Sequence, residues 1–478
     1  MELSLPRKLF FRLLCATLVI ATIYYSWQGA GELPAVEANR PDPYSGSIEE
    51  RVLIIQTKLI IGLKEFLEEK RRDGTGTQAF SEEMLKEIET AYFANAFQVP
   101  KHPPPPGAEL SFEEAVLLRK YVVAKFLGFE EEALALAKQF TGESEERFIP
   151  QLVIREKPLT DEELVRLTEH LGWFGTLHAY SLGDEERKQE LDDVVYYGSL
   201  FAFKKFVVAS AFITVFALLS LLSAGIFFYR LHRGKFRFKL NPLESVGDFS
   251  LEIFTLYMLS MFVVSQVVVL LVSGLGPRYV LGLNVVFIAG FSLLIFWPVL
   301  FGVSFSSVRK ALGLRLISWR SFFGDLFAAP FVYLATWTIL LVVIVPYLLV
   351  IEALGVDLSK GTHPVVPVLL KVTDAPTILL VLLLGVVIAP AIEELMFRGA
   401  LYSWLRARLG IFPAILTSAM IFAAVHPQGI VGLLPLTVIG AMLAFLREWR
   451  GSLLAPILAH ACVNAGTFFL LFYFLKGG

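Results

Sequence analysis

The chain has 478 residues, a net charge of −2, and 55 % hydrophobic against 18 % charged residues, with a mean hydropathy of +0.63. A soluble protein has no need of that much apolar surface, whereas a bilayer solvates it directly. No basic patch with interleaved aromatics is present outside short loops, which argues against nucleic-acid binding, and the two cysteines, Cys15 and Cys462, lie in apolar segments and offer no disulfide framework.

The first apolar run, Leu9 to Trp27, follows Arg7 and Lys8 and is interrupted only by Arg12. It is long enough to span, since about 20 apolar residues cross a hydrocarbon core. No small-x-small cleavage site follows, so residues 1–28 read as an uncleaved anchor rather than a signal peptide. Residues 29–200 change composition and become rich in Glu, Lys and Arg. Helical periodicity runs through Glu49–Arg72 and Ser81–Phe97, and Ser111 with Glu114 forms a capping-box pattern ahead of Ala115–Leu127. The tract from His102 through Pro103, Pro104, Pro105 and Pro106 to Gly107 predicts an extended spacer. The expectation is a helical domain exported between the first and second membrane helices.

Eight further apolar segments follow, at about 205–229, 250–274, 279–305, 326–352, 376–405, 411–426, 430–446 and 453–475. The predicted fold is therefore all-α, a polytopic membrane bundle of about nine helices. Residues 201–319 supply additional membrane helices and 320–478 form a C-terminal core. Basic clusters follow the even-numbered helices: Arg230 to Lys239, then Arg309 to Arg320, Arg406 with Arg408, and Arg447 with Arg450. Positive charge marks the cytoplasmic side. The N-terminus is thus expected in the cytoplasm, with residues 29–200 and the C-terminus outside it, and a bacterial plasma membrane is the expected location.

Ionisable side chains deep in a membrane segment are costly, hence few and usually functional. Glu252, Asp325, Glu352 and Glu448 fall at predicted helix ends, within reach of water. Well inside lie only Glu393, Glu394 and Arg398 of the sixth helix, His426 of the seventh and His460 of the ninth. A hairpin turn at Gly410 puts Glu393 and His426 at matching heights, and the turn at Gly451 brings His460 and Asn464 toward the same depth. Glu394 and Arg398 are spaced i, i+4 and can pair along one face, which leaves Glu393 as the freer carboxylate. Cys462 points away from His460 and reads as a structural thiol.

Three short runs then carry a resemblance. Glu393-Glu394-Leu395-Met396-Phe397-Arg398 has the form EExxxR, Phe422 to His426 the form FxxxH, and His460 to Asn464 the form HxxxN. Together and in this order they resemble the CPBP family (CAAX proteases and bacteriocin-processing enzymes, the Abi family), over about residues 320–475. The resemblance implies hydrolysis of a peptide bond within the bilayer, in the manner of the type II CAAX prenyl endopeptidases, on a membrane-associated protein or peptide. Glu393 and His426 would activate water, His460 and Asn464 would stabilise the oxyanion, and Glu394 with Arg398 would support them. Two readings compete: a non-catalytic peptide-binding or immunity protein, and a proton-coupled transporter. Metal-free glutamate catalysis is favoured. Zn²⁺ held by Glu393, His426 and His460 is the alternative, with Arg398 opposing a cation and no HExxH motif present.

Overall fold

The computed structural model describes residues 5–29, 48–72, 82–97, 111–140, 148–155, 157–241, 247–272, 282–283, 286–287, 290–314, 318–356, 358–361, 366 and 374–473. Every regular element among them is helical. The chain divides into two compact units, Ala35–Ile213 with Phe472–Gly478, and Met1–Pro34 with Thr214–Leu471. The proline tract, including His102, lies outside the described residues.

The first of these units holds α2 (Ile48–Arg72), α3 (Glu82–Asn95), α4 (Phe112–Leu127), α5 (Glu130–Phe140), α6 (Phe148–Ile154), α7 (Asp161–Leu171), α8 (Trp173–Leu182) and α9 (Glu185–Leu191). Ser111 and Glu114 cap α4 reciprocally, as their spacing predicts, and Thr160 with Glu163 does the same for α7. Leu118 and Val122 of α4 pack with Leu167 and Leu171 of α7 and with Phe174 and Leu177 of α8. Within this core Arg119 is fully buried and donates to Glu50 at 2.7 Å. His178 of α8 is also buried, and desolvation lowers its pKa to about 4.

The membrane unit begins with α1 (Leu5–Gly29). It continues with the greater part of α10 (Tyr196–His232) and with α11 (Asp248–Val272), a 3-10 helix Ser292–Phe301, α12 (Phe305–Ala311) and α13 (Trp319–Ala353). The long helix α14 (Ala375–Leu409) follows, then α15 (Ile411–Ala424), α16 (Gly429–Arg450) and α17 (Leu454–Leu471). Five of the described helices, α10, α13, α14, α16 and α17, are long and apolar enough to cross a bilayer. This is an integral membrane protein. The predicted seventh span, α15, has only 14 residues, about 21 Å at 1.5 Å per residue, and turns straight back into α16. Gly410 and Gly451, both at positive φ, make the two turns expected of them.

The expectation that Glu252, Asp325 and Glu448 sit where water reaches them is corrected: all three are buried, at 1 %, 0 % and 0 % exposure. Each meets partners far away in sequence. Arg7 of α1 grips Glu252 with two bonds of 2.7 and 2.6 Å, and Trp297 Nε1 donates to the same carboxylate at 2.7 Å. Asp325 accepts from Arg450 and Ser452, each at 2.5 Å. Glu448 accepts from Tyr402 at 2.8 Å and from Arg406 at 3.1 Å. A buried carboxylate keeps its charge only when it is paired in this way. Glu352, by contrast, is exposed.

Candidate active site

The site is built around α14, whose backbone is α-helical except in two stretches. Leu383–Ile388 and Leu395–Leu401 are wound as π-helix, on either side of a short α turn, Ala389–Glu394. Such insertions occur frequently at functional sites, and each leaves one carbonyl without its helical donor. In the second stretch the N–H of Tyr402 reaches back five residues to the Phe397 carbonyl. The Arg398 carbonyl is skipped, and Arg447 Nε of α16 donates to it at 3.3 Å. Arg447 Nη2 also donates to the Ala311 carbonyl at 3.2 Å. The sequence places Arg447 in a cytoplasmic basic cluster; the fold instead buries it fully. Gly313 makes room for it, since a Cβ there would lie 2.5 Å from Arg447 Cζ.

Glu394 and Arg398 form the predicted i, i+4 pair at 2.7 Å, both at 0 % side-chain exposure. Arg398 Nη2 also donates to the Gly440 carbonyl at 3.1 Å, and its guanidinium lies 4.3 Å from the Phe422 ring centroid. Glu394 has a second partner, because His460 Nδ1 lies 2.9 Å from the same Oε1. A carboxylate ionised by its arginine can only accept, so His460 donates from Nδ1 and turns Nε2 outward.

His426 lies two residues past the end of α15, in the turn to α16, rather than within the helix as expected. Its Nδ1 contacts the Phe422 carbonyl, one of the last carbonyls of α15, which has no helical donor of its own. The carbonyl can only accept, so His426 also donates from Nδ1 and leaves Nε2 for the site. Between the two imidazoles sits Glu393. Its Oε2 is 3.9 Å from His426 Nε2 and 3.9 Å from His460 Nε2. Glu393 keeps 25 % of its side chain exposed where Glu394 keeps 0 %. The lining is therefore asymmetric: Glu394 orients, and Glu393 faces open space.

Phe422 backs the arrangement, with ring centroids 4.4 Å from His426, 5.9 Å from His460 and 5.1 Å from Phe397. Sequence reasoning gives it no role, although its i, i+4 spacing to His426 is the available signal. Asn464, one turn beyond His460, donates through Nδ2 to the Gly385 carbonyl at 2.8 Å. Cys462 is a free, half-buried thiol. The structure thus brings Glu393, His426 and His460 together and places Glu394, Arg398 and Asn464 behind them.

Residues 375–466 of this constellation match the family model of the Rce1-like type II CAAX prenyl endopeptidases. The match is consistent with the CPBP family of CAAX proteases. The Rce1-like segment runs from α14 to α17 and contains every residue of the three motifs. A curated relative from Escherichia coli, described as an uncharacterized 24.3 kDa protein, is 31 % identical over 123 residues, covering 25 % of this chain. The chain spans about half of that relative's length, 56 %. No solved structure matches.

Among the described residues no three His, Cys, Asp or Glu side chains are gathered closely enough to hold a metal ion. The chemistry of Glu393, His426 and His460 nevertheless suits one, as two imidazoles and a carboxylate are a common zinc donor set. Bonds of roughly 2.0–2.1 Å place tetrahedral donors about 3.4 Å apart, so their 3.9 Å separations would have to close by about half an ångström.

Proposed function

We propose that the C-terminal part of this chain is an intramembrane endopeptidase that hydrolyses a peptide bond of a membrane-associated protein or peptide. The observation that carries the reading is the placement of Glu393 Oε2 at 3.9 Å from both His426 Nε2 and His460 Nε2. These contacts are too long for direct hydrogen bonds, and when the imidazoles are neutral all three atoms are acceptors. Acceptors that face one another without a proton call for a donor between them. A water molecule meets that need and would be held, and polarised, where attack on a carbonyl must begin.

In this reading Glu393 takes a proton from the water, and His426 Nε2 shares it and carries it toward the leaving nitrogen. Glu394, fixed by Arg398, holds His460 in the orientation that presents Nε2 to the substrate. As the substrate carbonyl takes the place beside Nε2, that nitrogen takes up a proton from solvent, and His460 then donates to the developing oxyanion, together with the N–H of Asn464 that Gly385 does not use. Before attack the charges balance, with two carboxylates facing one guanidinium and one imidazolium; during attack the oxyanion replaces the Glu393 charge. Were zinc bound, Glu393, His426 and His460 would hold it, and it would supply Lewis acidity to a bound water.

The remaining parts follow from composition and charge. Residues 1–28 anchor the chain, 29–200 form an extracytoplasmic helical domain, 201–319 contribute additional membrane helices, and 320–478 form the peptidase core. The N-terminus is cytoplasmic and the C-terminus extracytoplasmic in a bacterial plasma membrane. The test is a comparison of cleavage products in membranes carrying the wild-type chain or Glu393→Gln. An enzyme loses turnover while still binding substrate. A binding protein or transporter leaves the peptide pattern unchanged between the two, which would overturn the reading.

A further inference from the structure

We propose that Asn464 has a positioning role beside its oxyanion contact: its amide caps a backbone carbonyl that Pro390 leaves without a donor, and so fixes the turn that carries Glu393. In the first π stretch the N–H of Ala389 bonds the Leu384 carbonyl, five residues back. The Gly385 carbonyl therefore loses the donor four residues ahead. The donor five residues ahead would be residue 390, a proline, which has no N–H to give. In an apolar segment an unpaired carbonyl has no water to turn to. Asn464 Nδ2, at 2.8 Å, supplies what the helix cannot.

A second contact shows that this approach is built in. A Cβ at Gly385 would lie 2.5 Å from Phe468 Cε2, so the Phe468 ring packs into the space that glycine leaves on α14 and would have to shift for any larger residue. Phe468 and Asn464 are one turn apart on α17, as are Asn464 and His460. One face of α17 thus holds α14 at two levels, His460 on Glu394 and Asn464 on Gly385. Between those levels lie Pro390 and, three residues on, Glu393. Loss of the Asn464 bond frees the Gly385 carbonyl to recapture the Ala389 N–H, which rewinds the π stretch and rotates the glutamate turn away from the imidazoles.

The catalytic consequence rests on the peptidase reading; the capping does not. The experiment is a double-substitution cycle on the purified full-length chain, with wild type, Asn464→Ala, Pro390→Ala and the double variant compared for kcat, KM and Tm. Asn464→Ala is expected to lower kcat about 100-fold, as for a displaced reacting group, with KM nearly unchanged and Tm reduced. Pro390→Ala restores an N–H five residues beyond Gly385. In that background the same Asn464→Ala change is expected to lower Tm less and to cost less in kcat, the loss that remains being that of the oxyanion contact. Equal losses of Tm in both backgrounds would overturn the proposal. Asn464→Asp, which keeps the shape but has no N–H, should lower Tm as Asn464→Ala does; a wild-type Tm for it would also overturn the proposal, whether or not Pro390→Ala folds. The Tm cycle needs no turnover, so absence of Glu393-dependent cleavage would remove the peptidase reading and leave the capping to be decided on stability alone.

Discussion

His460 Nδ1 and Glu394 Oε1 lie 2.9 Å apart, although 66 residues separate them in the chain. This bond separates the environments of the two glutamates of the pair. Glu394, closed in by Arg398 and His460, has no way to reach a substrate, and its neighbour Glu393 inherits the open side. The enclosed carboxylate and the open one are adjacent residues on one helix, about 100° apart around its axis.

Glu394→Gln should therefore be severe without touching the reacting atoms. The amide has no charge to hold Arg398, and breaking one side of a buried ion pair costs about 3–5 kcal/mol. The expected result is a lower unfolding midpoint and a kcat reduced by about 100-fold, measured on peptide cleavage in detergent. Undiminished turnover would show that His460 needs no orientation.

Arg447→Met removes the donors to the Arg398 and Ala311 carbonyls. The Ala311 carbonyl keeps Ser403 Oγ at 3.4 Å, but the buried Arg398 carbonyl loses Arg447, and an unpaired buried acceptor costs about 1–3 kcal/mol, so a fall in the unfolding midpoint is expected. Gly313→Ala should act in the same direction, through φ of +82° and the clash with Arg447. An unchanged midpoint for both would mean that the second π stretch holds itself.

Metal content is testable directly. Purified, active protein is expected to carry less than stoichiometric zinc and to cleave peptide in the presence of a chelator. Stoichiometric zinc that turnover requires would instead make Glu393, His426 and His460 ligands, with donor separations shortened from 3.9 Å.

The helical unit has its own pH dependence. Burial lowers the pKa of His178 to about 4, against about 6.5 when unfolded. The unfolded chain thus binds the extra proton first as pH falls. The stability in question is fully present above about 6.5 and is lost as pH falls toward 4, by about 3 kcal/mol. Hydrogen exchange in α8 of the full chain should accelerate across that window, and His178→Gln should flatten the response. Equal pH dependence in both would exclude His178 as the cause.

Local signals in the sequence locate much of what the fold displays. Ser111 with Glu114 starts α4, Gly410 and Gly451 make turns, and the i, i+4 spacing of Glu394 and Arg398 gives their ion pair. Each is a relation between residues within one or two helical turns, so chain geometry alone fixes it. The acids that look exposed are another matter. Glu252, Asp325 and Glu448 are buried because Arg7, Arg450 and Arg406 reach them from 245, 125 and 42 residues away.

By itself the sequence determined the solvent of this protein, the residues able to carry chemistry, and which of two neighbouring glutamates shares a face with Arg398. Apolar run length, side-chain type and helical spacing are local properties, and a bilayer leaves a chain few other ways to satisfy its backbone. Only the tertiary structure decided that His460 orients on Glu394, that His426 leaves its helix to cap it, and that Asn464 and Arg447 fill carbonyls which the π turns expose. Those partners meet because helices pack, and an unpaired polar group inside the membrane is satisfied by whichever neighbour the packing brings within reach.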